Sequence, residues 1–172
     1  ISDCLSSIVA QKIENPVKLE IAIDAVSRPS AGTFKGTMNI IADEAMIYKN
    51  GELKETALAG EIKKISFPGG KKDCIISPMA DLPVSYRSTG IQNIKVWLAM
   101  PSAGAKLLKP AAPLLKAMMK QKHIRKIKDI LSDMFVKGPS EKMNNNLKSY
   151  IIVQAENKKG ETARGTLETP EA

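Results

Sequence analysis

Residues 81–100 read DLPVSYRSTGIQNIKVWLAM, and this stretch decides the fold. Its last part, Val96 to Met100, is apolar without interruption and predicts a buried strand. The segment before it contains Ser88, Thr89 and Gly90, a composition typical of turns, which predicts a connection that brings polar side chains to the start of that strand. Asp81 is placed either to cap a helix or to pair with Arg87.

Alternation of apolar and polar residues predicts further strands on both sides of this stretch. Val17, Leu19, Ile21 and Ile23 alternate with polar or small residues, which indicates a half-buried strand. Asn50-Gly51 is a strong hairpin dipeptide. Together with shorter apolar runs, these patterns predict strands or hairpins over residues 17–24, 45–53, 62–67, from 74 onward, 147–156 and 162–169.

Helical periodicity is confined to a few segments. A helix is predicted through about Lys12, capped by Ser2 or Asp3, with Leu5, Ile8, Val9 and Ile13 on its apolar face. Two more are predicted over residues 31–44, with Ser30 as N-cap, and over 120–136. A helical region also begins at Pro101-Ser102, where Pro110 and Pro113 predict two short helices or a kinked one. Strands joined by tight turns outnumber helices. The fold class expected is therefore α+β: a mostly antiparallel mixed sheet with helices packed on one face, forming one domain over residues 1–172.

Length and composition exclude several classes of protein. The chain has 172 residues and 43% hydrophobic content, enough for one real core. No uncharged apolar run approaches the roughly 18–20 residues that span a bilayer, and residues 1–15 lack the pattern of a signal peptide. Cys4 and Cys74 have neither metal-binding nor redox spacing, and we expect both to be reduced, packed thiols. These features favour a cytoplasmic protein.

The net charge of +8 is partly concentrated in the segment 114–136. A solvated helix face needs no partner and is the ordinary explanation of such a segment. The same pattern, with Leu114, Leu115, Met118 and Met119 beside the cations, also suits a helix that lies on an anionic membrane surface. Nucleic acid is not expected as a partner, because the basic residues are not interleaved with aromatic side chains.

Motifs of catalysis and cofactor binding are missing from the sequence. It lacks a glycine-rich strand–turn–helix, so no dinucleotide-binding half is expected within it. It also lacks metal-binding and serine-hydrolase motifs. His123 is the single histidine and has no nearby carboxylate in sequence, which favours a surface residue over a catalytic base.

Several of these segments, in consistent order, resemble the C-terminal part of the saccharopine dehydrogenase-like NAD(P)-dependent oxidoreductases. The segment 81–100 resembles that family's Ser-Thr-Gly-Ile-x-Asn-Ile run. Residues 27–33 resemble its small-residue, Gly-Thr turn, 48–51 its hairpin, and 163–171 its closing strand. Two positions depart from the family pattern: Gln92 stands where proline is common, and Ala80 near where glycine is frequent.

The resemblance implies that the chain is a fragment, the substrate-side and dimer-forming domain of a two-part enzyme. The N-terminal dinucleotide-binding domain, which holds NAD or NADP, would be missing from this chain, and the fragment alone would bind no nucleotide. The reaction implied is hydride transfer between the nicotinamide and a small-molecule substrate. A homodimer is the assembly expected.

Seven side chains follow from the resemblance as candidates for substrate binding. An arginine clamps a carboxylate, hydroxyl groups supply hydrogen bonds, and a tyrosine donates to a developing charge. The candidates are Arg28, Ser30, Thr33, Tyr86, Arg87, Ser88 and Thr89. Each also has a structural explanation: serines and threonines are ordinary turn residues, and Arg28 flanks a turn proline. No catalytic residue is assigned, and Arg164 is expected to face solvent or an interface.

Overall fold

The fold is taken from a computed structural model. It describes a sheet, two complete helices, a helical segment that begins at residue 102 and the turns between them, while the helices predicted over 31–44 and 120–136 lie outside the described residues. The described residues are 1–25, 45–57, 60–77, 79–105, 107, 110–111 and 148–170.

The described strands form one eight-stranded sheet. They are β1 (Pro16–Asp24), β2 (Ala45–Lys49), β3 (Glu52–Thr56), β4 (Ile62–Phe67), β5 (Gly70–Ile76), β6 (Asn93–Met100), β7 (Lys148–Asn157) and β8 (Thr162–Pro170). The helices are α1 (Ser2–Ala10) and α2 (Asp81–Thr89). The strand order is β3-β2-β6-β1-β7-β8, and β5 pairs with both β6 and β4.

One strand pair in this sheet is parallel, β1 with β6, and every other pairing is antiparallel. Parallel neighbours require a long crossover, which here contains both hairpins and α2. The hairpin β2–β3 turns at Asn50 and Gly51, whose φ angles of 54° and 78° belong to a type I′ turn. The predicted α+β class and the mostly antiparallel sheet are confirmed.

The two helices pack side by side on one face of the sheet, called here the first face. Its core contains Leu19 and Ile21 of β1, Val96 of β6 and Val153 of β7, all fully buried. For α1 and α2, the prediction of helices packed on one face is therefore confirmed. Between the helices, Ser6 Oγ lies 3.4 Å from Ser85 Oγ, because small side chains allow the two backbones to approach closely.

The opposite face, called here the second face, has an apolar centre of its own. Ala22, Trp97 and Ile152 are aligned across β1, β6 and β7 and are buried. Phe67 and Cys74 of the hairpin β4–β5 belong to the same cluster. The sheet therefore curls, so that the β4–β5 hairpin closes over its own second face.

The stretch 81–89 is a helix, α2, in a segment to which the sequence patterns assign no element. Pro83 falls in the first turn, where a missing N–H costs nothing. Gly90 ends the helix in the left-handed conformation, with φ 69°, and its N–H donates to the carbonyl of Tyr86 at 2.8 Å. Ser88 and Thr89 occupy the last turn, so their turn-like composition marks the end of a helix.

The predicted helix caps also need correction. α1 begins after Ile1, and neither Ser2 nor Asp3 caps it with a side chain. α2 begins after Ala80, and the Asp81 carboxylate accepts a hydrogen bond from the Ser2 hydroxyl, which joins the two helices. Ile8 is 54% exposed, so it does not belong to the apolar face of α1 as predicted.

Candidate functional site

A cleft opens where the two parallel strands end. The carboxyl ends of β1 and β6 lie side by side there, and β5 forms the third wall. Crevices at the carboxyl ends of parallel strands are the usual ligand sites of open α/β sheets. The cleft has a volume of about 270 Å³, and its described lining residues are Asp24, Ala25, Lys71, Lys72, Ala99, Met100, Pro101 and Ser102.

A buried carboxylate forms the floor of this cleft. Asp24 is the last residue of β1 and is only 2% exposed. The ammonium group of Lys72 donates to its Oδ1 at 2.9 Å and lies 2.7 Å from Oδ2. Among the described residues no donor makes a hydrogen bond of good geometry to Oδ2. A buried charge of this kind is held by its partner, the Lys72 ammonium.

The cleft also carries an excess of positive charge. Lys71 is exposed at its edge, while Lys72 is already paired with Asp24. The hydroxyl of Ser102 adds a donor at the start of the helical residues 102–105. The arrangement suits a small polar ligand whose anionic group meets Lys71.

The buried thiol beside Asp24 is not a nucleophile. Cys74 is fully buried, and burial raises the pKa of its thiol to about 11, an effect that the Asp24 and Asp73 carboxylates reinforce. A thiol with a raised pKa stays protonated at neutral pH and reacts slowly. Both cysteines are free thiols as predicted, but Cys4 is exposed, so the expectation that both are packed was wrong for Cys4.

Three of the seven predicted substrate-binding residues follow this cleft in sequence. Arg28, Ser30 and Thr33 come four to nine positions after Asp24, and all three lie outside the described residues. Their predicted role therefore stays a prediction.

The other four predicted residues lie at the opposite end of the sheet. They belong to the last turn of α2, which leads into the amino end of β6. β1 runs alongside for nine residues, a length of about 26 Å, and ends at Asp24. Tyr86, Arg87, Ser88 and Thr89 are therefore remote from the Asp24 cleft, and a role for them in substrate binding also stays a prediction.

The contacts of these four residues are mostly local. Tyr86 stacks on Tyr48, with ring centroids 4.0 Å apart. The hydroxyl groups of Ser88 and Thr89 donate to the carbonyl of Ser85 at 3.3 and 2.7 Å. Within the described part of the chain, Arg87 is exposed and makes no ion pair with Asp81. Six residues apart on a helix, the two side chains point in different directions.

Asp24 and Lys72 were missed by the sequence reasoning. Asp24 stands on the polar side of an alternating strand, where a solvent-facing carboxylate is expected. Lys72 is one of four lysines in the β4–β5 hairpin, and nothing in the sequence separates it from the other three. The one available signal was an acidic residue at the very end of a strand, followed by a polar turn.

The basic segment 114–136, with His123, lies outside the described residues, and its three interpretations stay open. None of the helices described reaches the length and apolar character needed to cross a membrane. The described residues also hold no cluster of three or more side chains suited to a metal ion.

The described residues hold no glycine-rich turn of the kind that binds the phosphates of a dinucleotide. Such a cofactor needs a glycine-rich turn between a strand and the first turn of a helix. Gly51 and Gly69 lie in hairpin turns between antiparallel strands, and Gly90 follows a helix. In the described residues no glycine turn leads from a strand into a helix.

Comparison with known proteins finds similarity in the fold. No protein-family model matches the chain, and no curated protein matches it in sequence. The fold is similar to that of apo histidine-tagged saccharopine dehydrogenase (L-Glu forming) from Saccharomyces cerevisiae, with a TM-score of 0.51 and 10% sequence identity. The match covers 98% of this chain and 56% of that one, so the chain spans just over half the length of that enzyme.

Proposed function

We propose that this chain is the substrate-side domain of a saccharopine dehydrogenase-like oxidoreductase. The observation that carries the proposal is the likeness of fold to a saccharopine dehydrogenase over 98% of the chain. The order of sequence segments that resemble the same family supports it independently, because residue patterns and fold are different kinds of evidence.

In this proposal the cleft at Asp24 receives the substrate. It lies at the carboxyl ends of β1 and β6, and it combines a buried carboxylate with the exposed ammonium of Lys71. Arg28, Ser30 and Thr33 are the predicted residues nearest to Asp24 in sequence, four to nine positions after it, and the proposal includes them among the substrate contacts. Tyr86 to Thr89 lie at the other end of the sheet, so a role for them in substrate binding would require a second substrate contact there.

The cofactor, NAD or NADP, is assigned to a domain that precedes this chain in a longer protein. The described residues supply no turn for its phosphates, so this chain would bind and orient the substrate, while the cofactor would accept or supply the hydride. A homodimer formed through this domain is part of the same proposal.

The coding sequence before Ile1 gives the most direct test. We expect it to encode a strand, a glycine-rich turn and a helix, and we expect the longer protein to bind NADH or NADPH with a change in nicotinamide fluorescence. The chain of 172 residues alone should give no such change. A different kind of domain upstream, or a longer protein that binds neither cofactor, would contradict the proposal.

The substrate cleft is tested in the same longer protein. Replacing Lys71 by Gln removes the exposed ammonium and should weaken substrate binding about tenfold, because a charged hydrogen bond contributes roughly 1.5–3 kcal/mol. Lys49→Gln is the matched control, since Lys49 is an equally exposed lysine at the end of β2. Equal KM values for the two variants would show that Lys71 does not contact the substrate.

A further inference from the structure

A row of polar side chains crosses the second face next to its apolar centre. Lys95, Glu20, Gln154 and Arg164 are aligned at the same register on β6, β1, β7 and β8. Residues opposite one another in neighbouring strands point to the same face, so these four share one surface. On β1, Glu20 is four residues from Asp24, about 13 Å away, so this row is separate from the cleft described above.

The hairpin β4–β5 closes over this row and leaves a groove. The Lys63 ammonium lies 2.5 Å from the Glu20 carboxylate, and the Arg164 guanidinium donates to the carbonyl of Ser66. The groove between them has a volume of about 180 Å³, and Glu20, Gln154 and Arg164 are among its lining residues. That volume holds about six water molecules at the density of liquid water, or one small polyatomic ion.

The positive charges around this groove are not all neutralised. Lys63 is paired with Glu20, and Lys95 lies 2.6 Å from Glu61. Arg164 contacts a neutral carbonyl, and within the described part of the chain no carboxylate pairs with it. A guanidinium has five N–H donors in a planar fork, and the carbonyl of Ser66 occupies only one of its nitrogens.

We propose that this groove binds a small oxyanion. Arg164 lines the groove and has further N–H donors besides the one that Ser66 accepts, and the amide of Gln154, directly opposite on β7, adds a neutral donor. Lys63 is held in position by Glu20 and by the ring of Trp97, whose centroid is 5.7 Å from Nζ. The fork of Arg164 matches the two oxygens of a carboxylate or phosphate group, which is the chemistry that this site recognises.

Titration of the ¹⁵N-labelled chain at constant ionic strength tests the proposal. Inorganic phosphate and citrate are the two probes, and chloride at equal ionic strength is the reference. We expect saturable shifts of the Arg164 Nε–H and Gln154 amide resonances. Comparison of the probes distinguishes a phosphate site from a carboxylate site, while shifts that are linear and equal for both anions would overturn the proposal.

Variants separate specific binding from general attraction of anions. Arg164→Gln should weaken binding about tenfold, because the charged fork is lost. Lys54→Gln removes one positive charge from an exposed ion pair on β3 and should leave the affinity within about twofold. Equal losses in the two variants would mean that only net charge matters, which would also overturn the site.

A third variant guards against a folding defect in Arg164→Gln. Gln154→Leu keeps Arg164 and the approximate volume of the side chain but removes the amide donor. We expect the affinity for the anion to fall about threefold, because one neutral hydrogen bond is lost. The fluorescence of Trp97, the chain's single tryptophan, reports whether each variant is folded. Wild-type affinity in Gln154→Leu, together with an unfolded Arg164→Gln, would count against the proposed groove.

Discussion

At the scale of single residues, Cys74 carries the clearest dependence of stability on pH. Its pKa of about 11 in the folded protein exceeds the value of about 8.5 expected for an unfolded chain. The unfolded chain therefore loses this proton first as the pH rises. The contribution of the thiol to stability is fully present below about pH 8.5 and is lost as the pH approaches 11.

We therefore predict that the free energy of unfolding decreases as the pH rises from about 8.5 to about 10.5. The Cys74 thiol should contribute about 1.4 kcal/mol per pH unit to this decrease. Urea denaturation at several pH values measures it, with Cys74→Ala as the comparison. We expect the variant to be less stable at neutral pH, where the buried side chain is lost, and its free energy of unfolding should fall less steeply with pH by that amount. Identical slopes would show that Cys74 does not cause the effect.

At the scale of elements, the packing of α1 against β8 depends on one glycine. A Cβ atom at Gly165 would lie 2.6 Å from Val9 Cγ2 and 3.0 Å from Leu5 Cδ1. Real Cβ contacts are not this short, so a side chain at this position would push α1 away from the sheet. The helix approaches β8 closely because no Cβ stands between them.

We predict that Gly165→Ala lowers the free energy of unfolding by about 1–3 kcal/mol, the usual cost of overpacking. Gly69→Ala is the control, because a Cβ at that turn position meets nothing within 4 Å and the φ angle there is not positive. It should change stability by less than about 0.5 kcal/mol. Thermal or urea unfolding compares them, and equal effects would contradict the proposed contact.

At the scale of the whole molecule, two ion pairs tie the β4–β5 hairpin to the middle of the sheet. Lys63 of β4 pairs with Glu20, and Lys72 of β5 pairs with Asp24. Both acids belong to β1, yet in the strand order β4 is separated from β1 by β5 and β6. The curl of the sheet brings the hairpin to β1. The pair at Asp24 is the more buried, with side-chain exposures of 30% and 3%.

We predict that Lys72→Met destabilises the fold by about 3 kcal/mol, because it leaves the buried Asp24 carboxylate without its counter-charge. Adding Asp24→Leu should restore most of that loss, since the buried charge is then removed as well. Lys54→Met, in an exposed pair with Glu52, should cost less than about 1 kcal/mol. A double variant as unstable as Lys72→Met would contradict this explanation.

The strands could be predicted from sequence because their signals are local. Alternation in β1, the Asn50-Gly51 turn and the apolar run of β6 each depend on residues close in sequence, and all three predictions are confirmed. α2 was missed because Ser88 and Thr89 favour turns and the end of a helix equally. Its hydroxyl groups bond back to Ser85, a contact that exists only once the helix has formed.

The sequence by itself determined the α+β class and the hairpins, because patterning with periods of two and 3.6 residues selects secondary structure locally. Only the tertiary structure decided that β1 and β6 are parallel neighbours. That pairing places Asp24 at the end of a cleft, and the curl of the sheet brings Lys72 to Asp24 and Arg164 to Ser66. The residues joined by these contacts are 48 and 98 positions apart, and burial and charge at that separation depend on the packing of strands rather than on any local pattern.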